Sequence, residues 1–383
     1  MANEQLHRAK TAKNDEFYTR YEDIEAEMNA YIEYDKDVFR DKVILCPCDD
    51  PEWSNFTKYF SNRFEVLGLK KLICTSYAKS AGNKIISDYE RHSPQFDEEK
   101  HFNCGKLFVL EKDTNDSGRI DKDDIEWQYL KGDGDFRSEE VTRLRDEADF
   151  IITNPMFSLW REFLAWIMKG EKKFIIIGSM NAITYKEVFP LIKDNKIWLG
   201  TTHPKNFIQP DKTLKKFGNI LWYTNEEHGM RHEPMQLMSM EDNLKYNKKL
   251  RNKLKKDYGK LEYPQYHNYK ALEIPIVEAI PSDYNDIMGV SISFLDHYCP
   301  SQFDIVGMSN YSDTPCRIEK NYAKEGYNFF KSDGLTKSNS GALKDKMSPK
   351  VYGKGRNDYS VSPEGTYLHA IYQRIFIRRK QDV

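Results

Sequence analysis

The chain has 383 residues, of which 39% are hydrophobic and 13% aromatic, and its formal net charge is −2. This length supplies a large core and predicts two domains. No apolar run approaches the roughly 18 residues that cross a membrane, the first residues lack the hydrophobic segment of a signal peptide, and the charge argues against indiscriminate binding to polyanions. We therefore expect a cytoplasmic protein that does not bind membranes.

The cysteines and histidines predict neither a disulfide framework nor a metal site. Six cysteines are too few and too scattered to form a disulfide framework in a chain of this size. Cys46 and Cys48 share an apolar run, and no second close pair completes a zinc site. His228 and His232 are four residues apart but lack the glutamate that a zinc protease carries between them. We expect no metal.

An aromatic-threonine element comes first along the chain. Phe17, Tyr18 and Thr19 precede Ile24 to Ile32, where apolar residues recur at helical spacing. A helix cap or a packing contact would explain Phe17 and Thr19 locally.

A buried strand is predicted next, and it ends in paired carboxylates. Asp41 to Pro51 contains the apolar run and closes on Asp49 and Asp50, and a helix follows from Trp53 to Phe60. A carboxylate at the carboxyl end of such a strand can hold a ribose hydroxyl or an ammonium group. The usual glycine-rich turn is missing, so a dinucleotide loop is not supported. The two aspartates could equally cap the helix.

A glycine-containing loop follows two further strands, Lys70 to Tyr77 and Ile125 to Leu130. In residues 131–138 the glycines let the backbone approach a flat ring, Asp135 can accept a hydrogen from an amine, and Phe136 can cover the ring face. A surface turn before a helix is the alternative.

The predicted site depends mainly on the segment from Ala148 to Trp160. Its apolar run is too short for a helix and predicts a buried strand that ends abruptly at Asn154 and Pro155. Proline cannot continue the ladder, so Asn154 to Phe157 should form a loop at the carboxyl end of a strand, where open α/β sheets place their chemistry. A helix from Leu159 to Met168 would follow.

This loop has the groups needed to hold an aromatic amine. The amide oxygen of Asn154 and the carbonyl of Pro155 can each accept one amine hydrogen, while Phe157 stacks on the ring that carries the amine. The amine lone pair is then available to attack an electrophilic methyl group. A strand-ending turn packed by Phe157 and Trp160 is the alternative.

Strands and helices continue to alternate up to Asn225. The predicted elements are a strand at Lys173 to Gly178, a helix at Tyr185 to Ile192, and strands at Lys196 to Gly200 and Asn219 to Thr224. This order predicts a doubly wound α/β sheet with helices on both faces, and a first domain of residues 1–225.

Basic runs and tyrosines mark the second half. Basic runs occur at Lys205 to Lys216, Lys245 to Lys260 and Arg374 to Lys380. A lysine-rich helix is predicted from Glu241 to Lys256, tyrosines follow it, and a final strand is predicted over Tyr367 to Ile377. This pattern favours a second domain, residues 226–383, that meets phosphate. A solvated helix face is the alternative for any one run.

Several long motifs, in order and over most of the chain, resemble the EcoRI-type adenine-specific DNA methyltransferase family. They are Lys13 to Thr19, Cys48 to Phe56, Gly132 to Ser138, Thr153 to Ser158, Ile183 to Phe189, Lys196 to Gly200 and Asp283 to Val290. One departure is Met156, where the family usually has proline.

The resemblance implies a Rossmann-like methyltransferase sheet with a C-terminal mixed target-recognition region. It implies S-adenosylmethionine as the methyl donor and double-stranded DNA as the substrate, with adenine flipped from the duplex and methylated directly. Asn154, Pro155 and Phe157 would be catalytic. The residues near the cofactor would be Phe17, Tyr18, Thr19, Asp49 or Asp50, Asp135 and Phe136. We also expect a monomer, within a restriction-modification system that can include a cognate endonuclease.

Three alternatives stay open. Cytosine methylation needs a Pro-Cys nucleophile, which Pro47-Cys48 and Pro315-Cys316 offer only away from the predicted loop. RNA or a protein glutamine could be the substrate, since a similar loop serves those reactions. A DNA-binding module that has lost catalysis would fit Met156 and the glycine-poor turn.

Overall fold

The computed structural model describes residues 17–47, 49–51, 53–78, 86, 91–209, 212–309, 311–318, 325–330, 336–338, 347–349 and 359–380. They fall into two compact units, one up to Gly229 and one from Met230 onward. Within the described ranges, no helix is long and apolar enough to cross a membrane.

The first unit alternates strands and helices. Its strands are β1 (Tyr18–Thr19), β2 (Val43–Cys46), β3 (Lys71–Ser76), β4 (Lys106–Leu110), β5 (Glu126–Tyr129), β6 (Phe150–Thr153), β7 (Lys173–Ser179), β8 (Trp198–Leu199), β9 (Asn206–Ile208), β10 (Leu214–Lys216) and β11 (Ile220–Thr224). Its helices are α1 (Tyr21–Tyr34), α2 (Asn55–Asn62), α3 (Phe64–Leu67), α4 (Glu98–Asn103), α5 (Glu139–Glu147), α6 (Trp160–Lys169) and α7 (Phe189–Lys193). Short 3₁₀ helices cover Lys122–Asp124, Phe157–Leu159 and Met180–Thr184.

Eight of these strands form one sheet in the order β5-β4-β3-β2-β6-β7-β11-β8. The four central strands β3, β2, β6 and β7 are parallel. Strands β4 and β5 at one edge, and β11 at the other, run antiparallel to their neighbours. The carboxyl ends of the four parallel strands therefore lie along a single edge, which we call the C-edge.

Helices cover both faces of this sheet. Trp222 and Tyr223 are consecutive residues of β11, so their side chains point to opposite faces. Trp222 packs against Phe56 of α2, with ring centroids 6.0 Å apart, and Tyr223 packs against Trp160 of α6 at 4.8 Å. The predicted α/β architecture around one large sheet is confirmed, and the sheet is mixed because its outer strands are antiparallel.

Three elements of the first unit start later or are shorter than the sequence predicts. The helix expected over Tyr185 to Ile192 begins only at Phe189, because Pro190 fits the first turn of a helix and disfavours helical geometry before it. The strand expected over Lys196 to Gly200 is reduced to β8. The helix predicted from Trp53 also starts later, at Asn55, where the Ser54 side chain accepts a hydrogen bond from the Phe56 amide.

The second unit contains two small sheets. Its helices are α8 (Met240–Tyr246) and α9 (Lys248–Tyr258), and 3₁₀ helices cover Gly229–His232 at its start, Val277–Ala279 and Ile292–His297. Its strands are β12 (Leu272–Glu273), β13 (Met288–Ser291), β14 (Phe303–Met308), β15 (Asn328–Phe330), β16 (Thr336–Ser338), β17 (Met347–Pro349), β18 (Tyr359–Val361), β19 (Tyr367–Ala370) and β20 (Arg374–Arg379). The sheet orders are β12-β13-β20-β14 and β16-β15-β18-β19-β17.

Two predicted elements of the second unit are each divided. The helix expected over Glu241 to Lys256 breaks at Asn247, whose extended backbone and side-chain bond to the Leu250 amide start a new helix. The strand expected over Tyr367 to Ile377 is two strands that belong to different sheets. At Asn247 the polar side chain that caps the new helix therefore overrides the continuous helical pattern of the sequence.

Candidate active site

The predicted site residues gather at the C-edge of the large sheet. Asp49 and Asp50 follow β2, and Asn154 follows β6, which is the neighbour of β2. The glycine-containing loop is fixed at the end of β3, where the Asp133 carbonyl accepts a hydrogen bond from the Ala78 amide at 2.8 Å. Parallel pairing thus brings together three motifs that lie far apart in the sequence.

The side chain of Asn154 is oriented by the first strand of the chain. Its Nδ2 donates a hydrogen bond of 2.6 Å to the carbonyl of Phe17. Because the nitrogen is committed to this bond, Oδ1 is left as the acceptor that faces away from it. Asn154 and Phe157 are half-buried, whereas Pro155 is buried. The loop therefore presents one amide oxygen and one aromatic ring while its proline anchors it.

Phe17 to Thr19 belong to a small sheet at the same edge. β1 pairs with β9, which pairs with β10. The Phe17 ring packs against Phe217 at 4.9 Å, and the ammonium of Lys215 lies 4.8 Å from the Phe17 ring centroid. The Thr19 carbonyl accepts from Asn55 Nδ2 at 2.8 Å. Thr19 Oγ1 is buried and has no hydrogen-bond partner within the described part of the chain.

Asp49 faces inward at the C-edge. Its carboxyl group is hydrogen-bonded to the hydroxyls of Ser54, at 2.6 Å, and Thr153, at 2.5 Å. Asp49 is 7% exposed, and burial raises its pKa to about 7 despite these two hydrogen bonds. Asp50 is half-buried. Of the two predicted aspartates, Asp50 is the better placed to meet a ligand.

A cavity of 430 Å³ opens beside β1. Its lining comes from β1, from the turn and helix after Asp50, and from the β9–β10 hairpin: Tyr18, Trp53, Asn55, Lys58, Ile208, Gln209 and Lys212. Burial lowers the pKa of Lys58, and the charge of Asp50 acts in the opposite direction. The cavity therefore combines two aromatic rings with two ammonium groups.

The loop carrying Asp135 and Phe136 is packed more tightly than the sequence predicts. Gly134 has φ +83°, and a Cβ there would collide with the carbonyl of Ser76. The glycine thus permits close packing of the two backbones. Phe136 is 3% exposed and lies against Phe163, with ring centroids 5.0 Å apart. The Asp135 carboxylate pairs with Arg137 at 2.6 Å.

Comparison with known proteins agrees with this arrangement. The sequence model described as "Adenine-specific methyltransferase EcoRI" matches residues 5–380. The chain is 40% identical to Type II methyltransferase M.EcoRI of Escherichia coli over 79% of this chain and 89% of that protein.

The chain belongs to the EcoRI family of adenine-specific methyltransferases. It is an enzyme that methylates adenine in DNA, so the predicted family and activity are confirmed. It is also 30% identical to Type II methyltransferase M.MpnI of Mycoplasma pneumoniae and 31% identical to Type II methyltransferase M.MgeORF184P of Mycoplasma genitalium, each over 79% of this chain. These matches cover 84% and 85% of the two relatives. No solved structure gives a significant match.

The family assignment disfavours cytosine chemistry, and so does the environment of the cysteines. Burial raises the pKa of Cys316 to about 11, which keeps its thiol protonated. Cys48 lies outside the described residues. Within the described ranges, no group of three or more histidine, cysteine, aspartate or glutamate side chains is arranged to hold a metal ion.

Met156 has backbone angles that are compatible with proline. Met156 has φ −56° and ψ 123°, which are angles that proline adopts readily. The loop of this family member thus keeps a proline-like conformation at that position.

Sequence reasoning missed most of the cavity. The sequence places Trp53, Asn55 and Lys58 directly after the paired aspartates. It does not show that their side chains line one cavity, because this depends on α2. Gln209 and Lys212 belong to the predicted basic run, and only the β9–β10 hairpin brings them beside Tyr18.

Proposed function

We propose that this enzyme flips adenine out of double-stranded DNA and transfers a methyl group directly from S-adenosylmethionine to the exocyclic amine. The observation that carries the proposal is the hydrogen bond from Asn154 Nδ2 to the Phe17 carbonyl. That bond fixes the amide so that Oδ1 is the free acceptor at the end of a central parallel strand. It also joins the catalytic loop to the segment that would border the methyl donor.

The residues of the loop would promote the reaction by holding the flipped base and its amine in place. Asn154 Oδ1 and the Pro155 carbonyl accept the two amine hydrogens, and Phe157 stacks on the flipped base. Accepting both hydrogens draws the nitrogen lone pair out of conjugation with the ring. The half-buried loop excludes water from this contact, and no strong base is required.

The residues around the cavity fit S-adenosylmethionine, which when bound supplies an electrophilic methyl group. Lys58 and Lys212 offer ammonium groups to a carboxylate, and Tyr18 offers a ring face to a sulfonium. Asp50 would accept from the ammonium of the methionine end. Asp135 and Phe136 remain the proposed contacts to its adenine.

We infer a Rossmann-like catalytic domain in residues 1–225 and target recognition in residues 226–383. Exposed lysines of α9, such as Lys248 and Lys255, support contact with phosphate there. The final basic strand contributes less than its composition suggests, because Arg374 pairs with Glu273 at 2.8 Å. A monomer acting beside a cognate endonuclease remains part of this proposal.

The β9–β10 hairpin is a further basic surface, next to the catalytic loop. Lys212, Lys215 and Lys216 are exposed, and no carboxylate within the described ranges forms a salt bridge with them. Because Lys215 lies over Phe17, whose carbonyl holds Asn154, we place the phosphates that flank the flipped adenine here.

The test is Asn154→Ala in the full chain, with labelled methyl incorporation into DNA from a methylation-free host. Incorporation should be abolished while the affinity for S-adenosylmethionine, measured by calorimetry, is retained. The matched control is Asn103→Ala, which removes an exposed amide that donates to the Glu99 carbonyl at 2.9 Å. Unchanged incorporation in Asn154→Ala would remove this residue from the active site. A wild-type chain that binds DNA but not S-adenosylmethionine would be the alternative DNA-binding module that has lost catalysis.

A further inference from the structure

The hydrogen bonds around Asp49 cannot all be made if its carboxyl group is ionised. Thr153 Oγ1 lies 2.9 Å from the carbonyl oxygen of Pro47 and 2.5 Å from Asp49 Oδ2. A hydroxyl has one hydrogen, and a carbonyl can only accept. With a carboxylate at Asp49, Thr153 would face two acceptors and could satisfy only one of them.

The hydrogen bond at the other carboxyl oxygen, Oδ1, determines which groups of this network donate and which accept. Ser54 Oγ accepts from the Phe56 amide at 3.0 Å, so its own hydrogen is directed to Asp49 Oδ1 at 2.6 Å. Oδ1 is therefore an acceptor. If Oδ2 carries a proton, it donates to Thr153 Oγ1, which then donates to Pro47. Every donor and acceptor in the cluster is satisfied in that arrangement alone.

We propose that Asp49 is a positioning residue that works as a neutral carboxylic acid and holds Thr153, and with it the adjacent Asn154, against the end of β2. This inference rests on the proposed role of Asn154 at the target amine. Asp49 acts through Thr153 and does not touch the base. It replaces the expectation that Asp49 contacts the methyl donor.

The surroundings favour the neutral form. Among the described residues, the titratable groups that act on Asp49 are Cys46 from β2 and Asp50 from the adjoining turn. Neither of them is a cation, and Lys58 of α2 interacts with Asp50. Burial is the largest cause of the raised pKa of Asp49.

The test compares Asp49→Asn with Asp49→Ala in single-turnover methylation of duplex DNA. Asparagine reproduces the neutral acid, since Nδ2 can donate to Thr153 and Oδ1 can accept from Ser54. Asp49→Asn should keep the wild-type single-turnover rate constant within about twofold, whereas Asp49→Ala should lower it about tenfold, because the Thr153 hydroxyl is left without the Asp49 partner. The Kd for DNA should stay unchanged in both variants. Thr153→Ser should behave like wild type and Thr153→Val like Asp49→Ala.

Infrared spectroscopy tests directly whether the Asp49 carboxyl group carries a proton. The infrared difference between wild type and Asp49→Asn should contain the carbonyl band of a protonated carboxyl group at mildly acidic pH, and this band should fade as the pH rises through the pKa of Asp49. A carboxylate band at all pH values, or an Asp49→Asn variant as slow as Asp49→Ala, would overturn the inference. If instead Asn154→Ala retains activity, the proposed site itself fails, whatever Asp49 does.

Discussion

Replacing Asp49 by asparagine should change how the stability of the first unit depends on pH. The pKa of this buried carboxyl group is raised from 3.8 to about 7. The folded state holds the proton of Asp49 more tightly than the unfolded chain does. This proton therefore stabilises the folded state fully below about pH 4, and the stabilisation is lost as the pH rises to about 7. At about 1.4 kcal/mol per pH unit, the total loss is about 4 kcal/mol, of which about 3 kcal/mol falls between about pH 5 and pH 8.

The chain offers a selective assay for this effect. All six tryptophans lie in the first unit, so their fluorescence follows the unfolding of that unit. Urea unfolding of wild type and Asp49→Asn at about pH 5 and about pH 8 gives four free energies of unfolding. The two proteins share all other titrating groups, so the difference between them isolates Asp49. From about pH 5 to about pH 8, the free energy of unfolding of the variant should rise by about 3 kcal/mol relative to that of wild type. A difference that stays constant with pH would refute the reasoning.

Three further changes test other parts of the first unit. Gly200→Ala would place a methyl group against the buried carboxyl of Glu27, and it should lower the free energy of unfolding by about 1–3 kcal/mol in the same fluorescence assay; unchanged stability would contradict this close packing of Gly200 against Glu27. Met156→Pro should preserve methylation and raise the unfolding free energy by about 0.4–1 kcal/mol, because the backbone already has proline-like angles; loss of activity would show that the side chain is needed. Lys215→Ala should reduce the slope of log DNA affinity against log salt by about 0.9, and Lys36→Ala, exposed at the opposite edge of the sheet, should leave that slope unchanged.

The central strands and the loop that follows β6 could be predicted because the sequence signals for them are local. The apolar run that ends at Asn154 and Pro155 predicts both a buried strand and its abrupt stop, and the structure has β6 ending at Thr153. The same holds for β2 and the two aspartates that follow it. Short-range propensity and the geometry of proline suffice at these places.

The parts that could not be predicted depend on contacts between distant residues. The bond from Asn154 to Phe17 spans 137 positions, and the bond from Thr153 to Asp49 spans 104. A sequence pattern shows that an aspartate follows a strand, but not whether it turns toward a ligand or toward a neighbouring hydroxyl. Gly134 illustrates the same limit, since its close neighbour is the carbonyl of Ser76 from another strand.

The pairing of β1 with β9 has a consequence for the enzyme during its synthesis. Tyr18 and Thr19 leave the ribosome early, yet their partner residues Phe207 and Ile208 follow almost two hundred positions later. Until those residues emerge, the nascent chain cannot complete the strand pair that supports the Phe17 carbonyl and, through it, Asn154. Nascent chains that end before Phe207 therefore lack the partner strand of β1.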